Sequence, residues 1–313
     1  MKRLRYLPVN LFAATMGTAG LALAEQRAGL PLLADALAYL ALAGYVALTG
    51  GYLYKLFAHT AEAAAEFSSP ARIPFFATMS MTGLLLASHF YVVVPVASQV
   101  LFWLSTALQA VVVTGIFTRW IHSTNHSIDD VLPTWFIPTA GNILVAVAAN
   151  NAAELEAGWV FFAVGVVLWL PVFAITMLRL STGSEIPAAA MPTLSIMVNP
   201  PSIAFLAWVK LHGGQVDDFA RIMAYFAMYF AVVVAVQLVV KHPRKFTLSL
   251  WSPIFPFAAL ASTMIEFGAV LGNPYVHLAG VVLAQLLALA VLLLTVATLR
   301  AGAKGSLLKP ENS

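Results

Sequence analysis

The sequence contains no cysteine and few charged residues. Without a thiol, the 313-residue chain can form neither a disulfide bond nor a thiolate metal site. Only 9% of its residues are charged, whereas 61% are hydrophobic and the mean hydropathy is +0.89. A soluble domain carries roughly a quarter of charged residues. The composition therefore excludes an ordinary soluble domain and indicates an integral membrane protein.

Charge is scarcest in the apolar windows. Ten windows contain no Lys, Arg or Glu, and Asp35 is the only acidic residue inside any of them. Each approaches the roughly 17–25 residues of a spanning helix. We therefore predict an all-α membrane protein of ten transmembrane helices, forming a single domain over 1–313 with a cytoplasmic tail at 301–313. The windows are 8–24, 32–54, 74–96, 98–118, 133–150, 158–178, 190–209, 222–240, 247–265 and 276–299.

The basic residues predict the orientation. With the N-terminus in the cytoplasm, thirteen lie inside and three outside, as the positive-inside rule requires. An even number of helices places both termini in the cytoplasm of a multi-pass inner-membrane protein. The pI of 9.2 is then a topology signal and needs no nucleic-acid partner. The inside set is Lys2, Arg3, Arg5, Lys55, Arg72, Arg119, Arg179, Lys241, Arg244, Lys245, Arg300, Lys304 and Lys309, and the outside set is Arg27, Lys210 and Arg221.

Proline recurs near the start of every odd-numbered predicted helix. The spacings are 66, 59, 59 and 61 residues between Pro8, Pro74, Pro133, Pro192 and Pro253. A period near 60 residues that holds two helices predicts five tandem helical hairpins. Their approximate bounds are 7–56, 73–119, 132–180, 190–241 and 247–300.

Small and polar side chains concentrate on the odd helices, and the even helices are mostly Leu, Val and Ala. Lipid offers no hydrogen-bond partner, so polar faces belong at helix contacts or along a water-filled path. One interpretation is an inner ring of five kinked helices around a pore, with an outer ring of five. The other is tight packing without a pore. Candidates for pore lining are Phe12, Thr15, Gly17, Thr78, Thr82, Thr139, Asn142, Asn199, Ser202, Ala259 and Ser262.

Several segments, in this order and with this period, resemble the tellurite-resistance/dicarboxylate transporter family. They are LPVNLFAATMGTAGLALA (7–24), YKLF with SSPAR (54–72), LPTWFIPTAGN (132–142), TLSIMVNPPS (193–202) and LWSPIFPFAALA (250–261). That family includes bacterial proteins of the TehA kind and the slow-type anion channels of plants. The resemblance implies a homotrimer in the bilayer, a pore within each protomer that conducts small inorganic or organic anions, and a phenylalanine plug on the ninth helix. Phe255 matches the plug through the pattern W-x-x-x-F-P.

The stretch WSPIFPF suggests how such a plug is held. Pro253 and Pro256 cannot donate backbone hydrogen bonds, and prolines three residues apart bend a helix toward one side. We expect Phe255 to point into the space opened by the bend, where a hydrophobic ring blocks ions sterically and by dewetting. The alternative is an ordinary packed phenylalanine. Further kinks are predicted at Pro133, Pro138 and Pro200. Pro138 and Pro253 depart from some relatives.

The interiors of the odd helices carry no Asp, Glu, Lys or Arg. A pore built from them has no acidic ring for cations and no fixed charge that holds an anion tightly. We therefore expect a channel that prefers anions with weakly held water, nitrate over chloride. The alternative is a proton-coupled carrier of C4-dicarboxylates such as malate, or of a tellurite-type oxyanion. No enzyme and no cofactor are predicted.

Other ionisable residues have two interpretations. Asp35, His89 and Glu266, near the outer helix ends, are either a proton site for coupled transport or interfacial groups reaching water. His122 and His126 are four residues apart beside Asp129 and Asp130, a spacing that suits a metal on a helix. Their place in a cytoplasmic loop argues against this, and no metal site is predicted.

The predicted topology is testable because the chain has no native cysteine. Glu156→Cys and Asp217→Cys should react with a membrane-impermeant thiol reagent added outside sealed cells, and Asn125→Cys should not. Labelling at position 125 from outside would contradict the orientation.

Overall fold

The computed structural model describes residues 4–122, 127–241, 243 and 245–305, and within them the regular structure is entirely helical. The α-helices are α1 (Phe12–Arg27), α2 (Pro31–Ala58), α3 (Thr60–Ser68), α4 (Ala77–Phe90), α5 (Pro95–His122), α6 (Phe136–Ala148), α7 (Ala152–Thr182), α8 (Asn199–Leu211), α9 (Asp218–Val240), α10 (Ile254–Val270) and α11 (Pro274–Ala303).

Eight helical stretches within the described residues are long and apolar enough to cross a membrane, and Pro133–Ala148 is a shorter apolar helix. Helix α1 has only 16 residues. The prediction of an all-α membrane protein is confirmed to this extent. The eight are Pro31–Ala58, Ile73–Phe90, Pro95–His122, Ala152–Thr182, Met191–Leu211, Asp218–Val240, Leu248–Val270 and Pro274–Ala303.

Burial divides these stretches into two kinds. In Ile73–Phe90 and Met191–Leu211, 83% of the most apolar window is buried, and in Leu248–Val270 67%. In the other five the buried share is only 22–39%. Their exposed residues are mainly Leu and Val, which suit contact with lipid tails. The first kind therefore lies within the bundle and the second forms its surface.

Helices pack on their neighbours in the sequence, and the buried helices also pack on helices farther along the chain. Neighbours pack in the pairs α1–α2, α4–α5, α6–α7, α8–α9 and α10–α11. Among the buried helices, α1 packs on α4 and α10, α6 packs on α4 and α8, and α8 packs on α10. Glycines permit close approach within the α10–α11 pair, since a Cβ on Gly268 of α10 would lie 2.4 Å from the His277 backbone nitrogen of α11, and one on Gly280 of α11 would lie 2.8 Å from the Ala261 carbonyl oxygen of α10.

We call α1, α4, α6, α8 and α10 the five central helices, and each is entered through a 3₁₀ turn. These turns are Val9–Leu11, Ile73–Phe76, Pro133–Trp135, Met191–Val198 and Leu248–Trp251.

The prolines for which kinks are predicted stand at these junctions. Pro133 opens a 3₁₀ turn, Pro138 and Pro256 are the third residues of α6 and α10, Pro200 is the second residue of α8, and Pro253 directly precedes α10. The first four N–H groups of a helix have no partner within it. A proline there removes no hydrogen bond of the α-helix that it opens, and a kink at these residues stays a prediction.

A buried ion pair fastens the chain that leads into α1. The Lys55 ammonium, 2% exposed, lies 2.6 Å from the Glu66 carboxylate, which is 4% exposed. Tyr52 donates to the same carboxylate, the Val9 N–H bonds its other oxygen, and Lys55 also donates to the Leu7 carbonyl. The cluster joins α2 and α3 to the entrance of α1. The apolar pattern of the sequence carries no sign of it.

Glu156 and Asp217, the two positions predicted to react from outside, lie at the same end of the bundle. Trp208 donates to the Asp217 carboxylate at 2.8 Å, and its ring contacts Trp159, three residues after Glu156. Ser181, which is exposed at the end of α7, can replace Asn125 as the position that should not react from outside, because Ser181 lies within the described residues. Outside the described residues lie Lys2, Arg3, Asn125, His126, Arg244, Lys309 and the tail beyond residue 305.

Candidate functional site

Phe255 lies between two small cavities along the bundle. It is the second residue of α10 and only 2% exposed. One cavity, called here the Pro256 cavity, is bordered by residues from all five central helices or their entrances: Ala13, Phe75, Ile137, Asn199 and Pro256. The other, called the Arg27 cavity, is also bordered by all five central helices: Gly20, Leu85, Leu144, Ile203 and Ala259. Phe255 borders both.

Both cavities are too small to conduct in this conformation. About 10 Å³ of the Pro256 cavity and about 20 Å³ of the Arg27 cavity can hold the centre of a water-sized sphere. A volume of this kind near 10–15 Å³ holds about one water molecule. Phe255 therefore contacts two small spaces that residues of all five central helices or their entrances border.

A glycine of the neighbouring helix makes room for the ring. A Cβ on Gly20 of α1 would lie 2.4 Å from Phe255 Cδ2 and 2.8 Å from Cε2, closer than real Cβ contacts. Gly17, one turn earlier, instead faces Ile254, whose Cβ would be 2.9 Å away. The first turn of α10 thus packs directly on the glycine face of α1. The sequence selected Gly17 and missed Gly20, although their spacing of three residues indicates a shared face.

Three of the predicted pore-lining residues border these cavities: Asn199 borders the Pro256 cavity, and Ala259 and Ser262 border the Arg27 cavity.

The other eight candidates do not border these two cavities, and several make contacts between or within helices. The Thr15 and Thr82 hydroxyl oxygens are 3.3 Å apart, and the Phe12 ring meets Tyr45 and Tyr52 edge-on. The hydroxyls of Thr78, Thr139 and Ser202 donate to carbonyls of Phe75, Phe136 and Val198.

A buried glutamine ties two central helices together. Gln109 of α5 is fully buried, accepts from Ser80 of α4 at 2.5 Å and donates to Asn142 of α6 at 3.1 Å. It also donates to the Pro138 carbonyl at 3.1 Å. A Cβ on Gly141 would lie 2.4 Å from its amide nitrogen. Asn142, expected at the pore, is therefore engaged here. This role was not predicted from the sequence, because Gln109 lies on α5, which was expected to be a lipid-facing outer helix although it also buries residues such as Phe102 and Ser105.

A fixed charge borders the Arg27 cavity, contrary to the expectation of a path without one. Helix α1 continues three residues past the predicted window and ends at Arg27. The Arg27 Nε lies 3.3 Å from a Glu266 carboxylate oxygen, and Nη1 donates to the Leu23 carbonyl. Glu266 is thus the partner of an arginine.

The other ionisable candidates are separate from these cavities. His89 Nε2 lies 3.0 Å from an Asp35 carboxylate oxygen, and the side chains are 5% and 59% exposed. No group of three or more metal-ligating side chains occurs among the described residues. The pair of His122 with His126 falls partly outside them.

Residues 6–299 match the family model of the SLAC1 voltage-dependent anion channels. The chain belongs to this family. It is similar to a TehA homolog, a tellurite resistance protein of Haemophilus influenzae, with 24% identity over 83% of this chain and 81% of that protein. The S-type anion channel SLAH2 of Arabidopsis thaliana is 26% identical over 69% of this chain, but the match spans only 42% of that channel. A putative malic acid transport protein of Schizosaccharomyces pombe is 23% identical over 68% of this chain and 57% of that protein. The resemblance read from the sequence is confirmed.

Substituting Gly20 should displace the Phe255 ring. We expect Gly20→Ala to raise anion flux into liposomes above wild type, but by less than removal of the ring, because a shifted phenyl group still fills part of the path. Flux unchanged from wild type in a folded variant would contradict this role.

Gly17→Ala is the matched control, because its added methyl meets Ile254 and leaves the ring in place. It should lower the melting temperature without raising flux. In a Phe255→Ala background, Gly20→Ala should add nothing, since the clash is gone. An added effect there would mean that Gly20 acts elsewhere.

Proposed function

We propose that this SLAC1-family protein is an anion channel whose path runs through the five central helices of each protomer and is closed by Phe255. One observation carries the proposal. Phe255 separates two cavities, and each cavity is bordered by all five central helices or their entrances. Tight packing without a path leaves this alignment unexplained.

The side chains around the cavities favour anions. The polar ones are Asn199 and Ser252 on one side of Phe255, and Ser262 and Arg27 on the other, with no carboxylate among the bordering residues. Hydroxyl and amide N–H groups replace part of an anion's hydration shell, and the apolar wall penalises ions that hold water strongly. We therefore propose conduction of small monovalent anions with modest discrimination, nitrate over chloride.

The architecture belongs to the same proposal. Five packed pairs would supply ten spanning helices as five hairpins, with the five central helices as an inner ring and the outer five facing lipid. The packing of α1, α4, α6, α8 and α10 on one another supports this. A multi-pass place in the inner membrane with cytoplasmic termini follows from the basic residues.

We also propose a homotrimer with a separate pore in each protomer, as the family resemblance implies. A path complete within one chain supports it, since no second copy is needed to line the cavities. The mass of the purified protein in detergent should equal three chains, and a stable monomer or dimer would contradict the assembly.

Removing the ring should open the channel. Phe255→Ala joins the two cavities across Ala259 and Ser262. If the ring closes the pore by about 3 kcal/mol, its loss raises flux about a hundredfold, since each ~1.4 kcal/mol is a factor of ten. The measurement is chloride and nitrate current from purified, assembled protein in a bilayer. A reversal potential showing equal chloride and sodium permeability would contradict anion selectivity.

Other substitutions test whether the ring itself closes the path. Phe255→Leu should give an intermediate current and Phe255→Trp should stay closed. Phe257→Ala is the control, because Phe257 lies about 200° round the helix from Phe255 and does not border either cavity. It should cost stability and leave current near wild type. If Phe255→Ala conducts no more than wild type, the plug is excluded for this protein.

A second candidate is a proton-coupled carrier of C4-dicarboxylates. The similarity to a putative malic acid transport protein and the His89–Asp35 pair favour it. A carrier predicts malate uptake that saturates, follows an imposed pH gradient and falls in His89→Gln. A channel predicts anion flux that follows voltage alone. Measuring proteoliposome uptake under each gradient separately decides between the two. Tellurite export would be tested by the same assay with tellurite.

A further inference from the structure

Arg27 is held in place at one end of the path. It is the last residue of α1, where the helix dipole favours a cation. Its Nη1 donates to the Leu23 carbonyl one turn back, and its Nε faces Glu266 of α10 at 3.3 Å. The side chain is 30% exposed. Contacts to two different central helices therefore fix the guanidinium group beside the Arg27 cavity.

The two residues of this ion pair are placed differently with respect to the Arg27 cavity. Arg27 borders the cavity together with Ser262 and Phe255, whereas Glu266 does not border it. A guanidinium group has five N–H donors, and the two contacts above engage only two of them. An anion in this cavity would therefore have the Arg27 guanidinium group at its border and no Glu266 carboxylate there. A cation at the same place would meet a positive charge.

The charges nearby nearly balance. Lys210 near the end of α8 interacts electrostatically with Arg27, Glu266 and Glu154, so two cations stand near two carboxylates. Glu154 is fully buried and accepts from the Asn150 N–H at 2.7 Å. These opposite charges are equal in number, so we attribute a preference for anions in this cavity to the Arg27 group that borders it.

We propose that Arg27 is the anion-capture residue of the pore on its own side of Phe255, and that Glu266 positions its guanidinium group. The inference rests on the proposed channel function. It adds a residue that determines specificity to a path otherwise lined by neutral groups. One partly exposed charge binds an anion weakly enough to release it, which conduction requires.

The test uses the open Phe255→Ala channel in a planar bilayer. Adding Arg27→Gln should raise the chloride concentration for half-maximal current about tenfold, the low end for loss of a charge-assisted hydrogen bond, because the side chain is partly exposed. The permeability ratio of chloride to sodium should fall as well. Arg27→Lys should keep the ratio but raise the half-maximal concentration, because the ammonium group keeps the charge and loses the fork geometry.

Glu266→Gln separates capture from a structural role. If Arg27 captures anions, Glu266→Gln should increase the chloride-to-sodium ratio, opposite in sign to Arg27→Gln, because the amide oxygen can still accept from the guanidinium group and position it while the competing negative charge is gone. If the pair only stabilises the fold, both substitutions should lower the melting temperature alike and leave selectivity unchanged, which would overturn the inference.

Arg221→Gln is the matched control. It removes an exposed charge of α9 that borders neither cavity, and it should leave both quantities unchanged. Equal effects of Arg27→Gln and Arg221→Gln in a conducting Phe255→Ala channel would overturn the capture role alone. A Phe255→Ala protein that conducts no anion would overturn the channel proposal, and the capture role with it.

Discussion

Inside a bilayer a backbone N–H or C=O group has no water to bond, so each must find its partner within the protein. Most of this structure follows from that constraint. The described chain is helical because a helix satisfies its own backbone. Prolines fall in the first turns of the central helices, where N–H groups lack a helical partner anyway. Hydroxyl groups such as that of Thr139 donate to carbonyls of their own helix, and Gln109 satisfies two central helices at once.

The same constraint gives the path its apolar character. Polar side chains engaged with carbonyls or with one another are not free to line it, so most of the surface along the cavities is aliphatic. A narrow apolar passage excludes ions unless something offsets the loss of their water. We propose that the Phe255 ring closes this passage, and Gly20 leaves room for the ring beside the backbone of α1. In the proposed channel, the gate is therefore a contact between two helices and not a property of one side chain.

One ion pair lies at each end of α1. Lys55 and Glu66 are buried together at the entrance of α1, and Arg27 and Glu266 pair at the opposite end of that helix. Removing one partner of the buried Lys55–Glu66 pair would leave an uncompensated charge, at a cost of about 3–5 kcal/mol, whereas the Arg27–Glu266 pair is partly exposed. Both ends of α1 are thus anchored to other segments. This helix is also the one that carries the glycine against the Phe255 ring.

Composition and period alone determined the class of this protein. A chain with 9% charged residues and apolar windows near the length of a spanning helix suits lipid, where a helix satisfies its own backbone. The proline period identified the central helices, because prolines mark helix starts wherever the helices lie. Phe255 was found through its resemblance to a family pattern, and the structure then set it between two cavities.

The tertiary structure decided which faces meet. Thr15 and Asn142 were expected at the pore, yet they face neighbouring helices, while Gly20 faces Phe255 and Arg27 borders the path. A small or polar residue suits a helix contact and a water-filled path equally well, since lipid excludes both in the same way. Sequence alone therefore indicates that such a residue turns away from lipid. Only the rotation of each helix against its neighbours decides whether it meets a side chain or the pore.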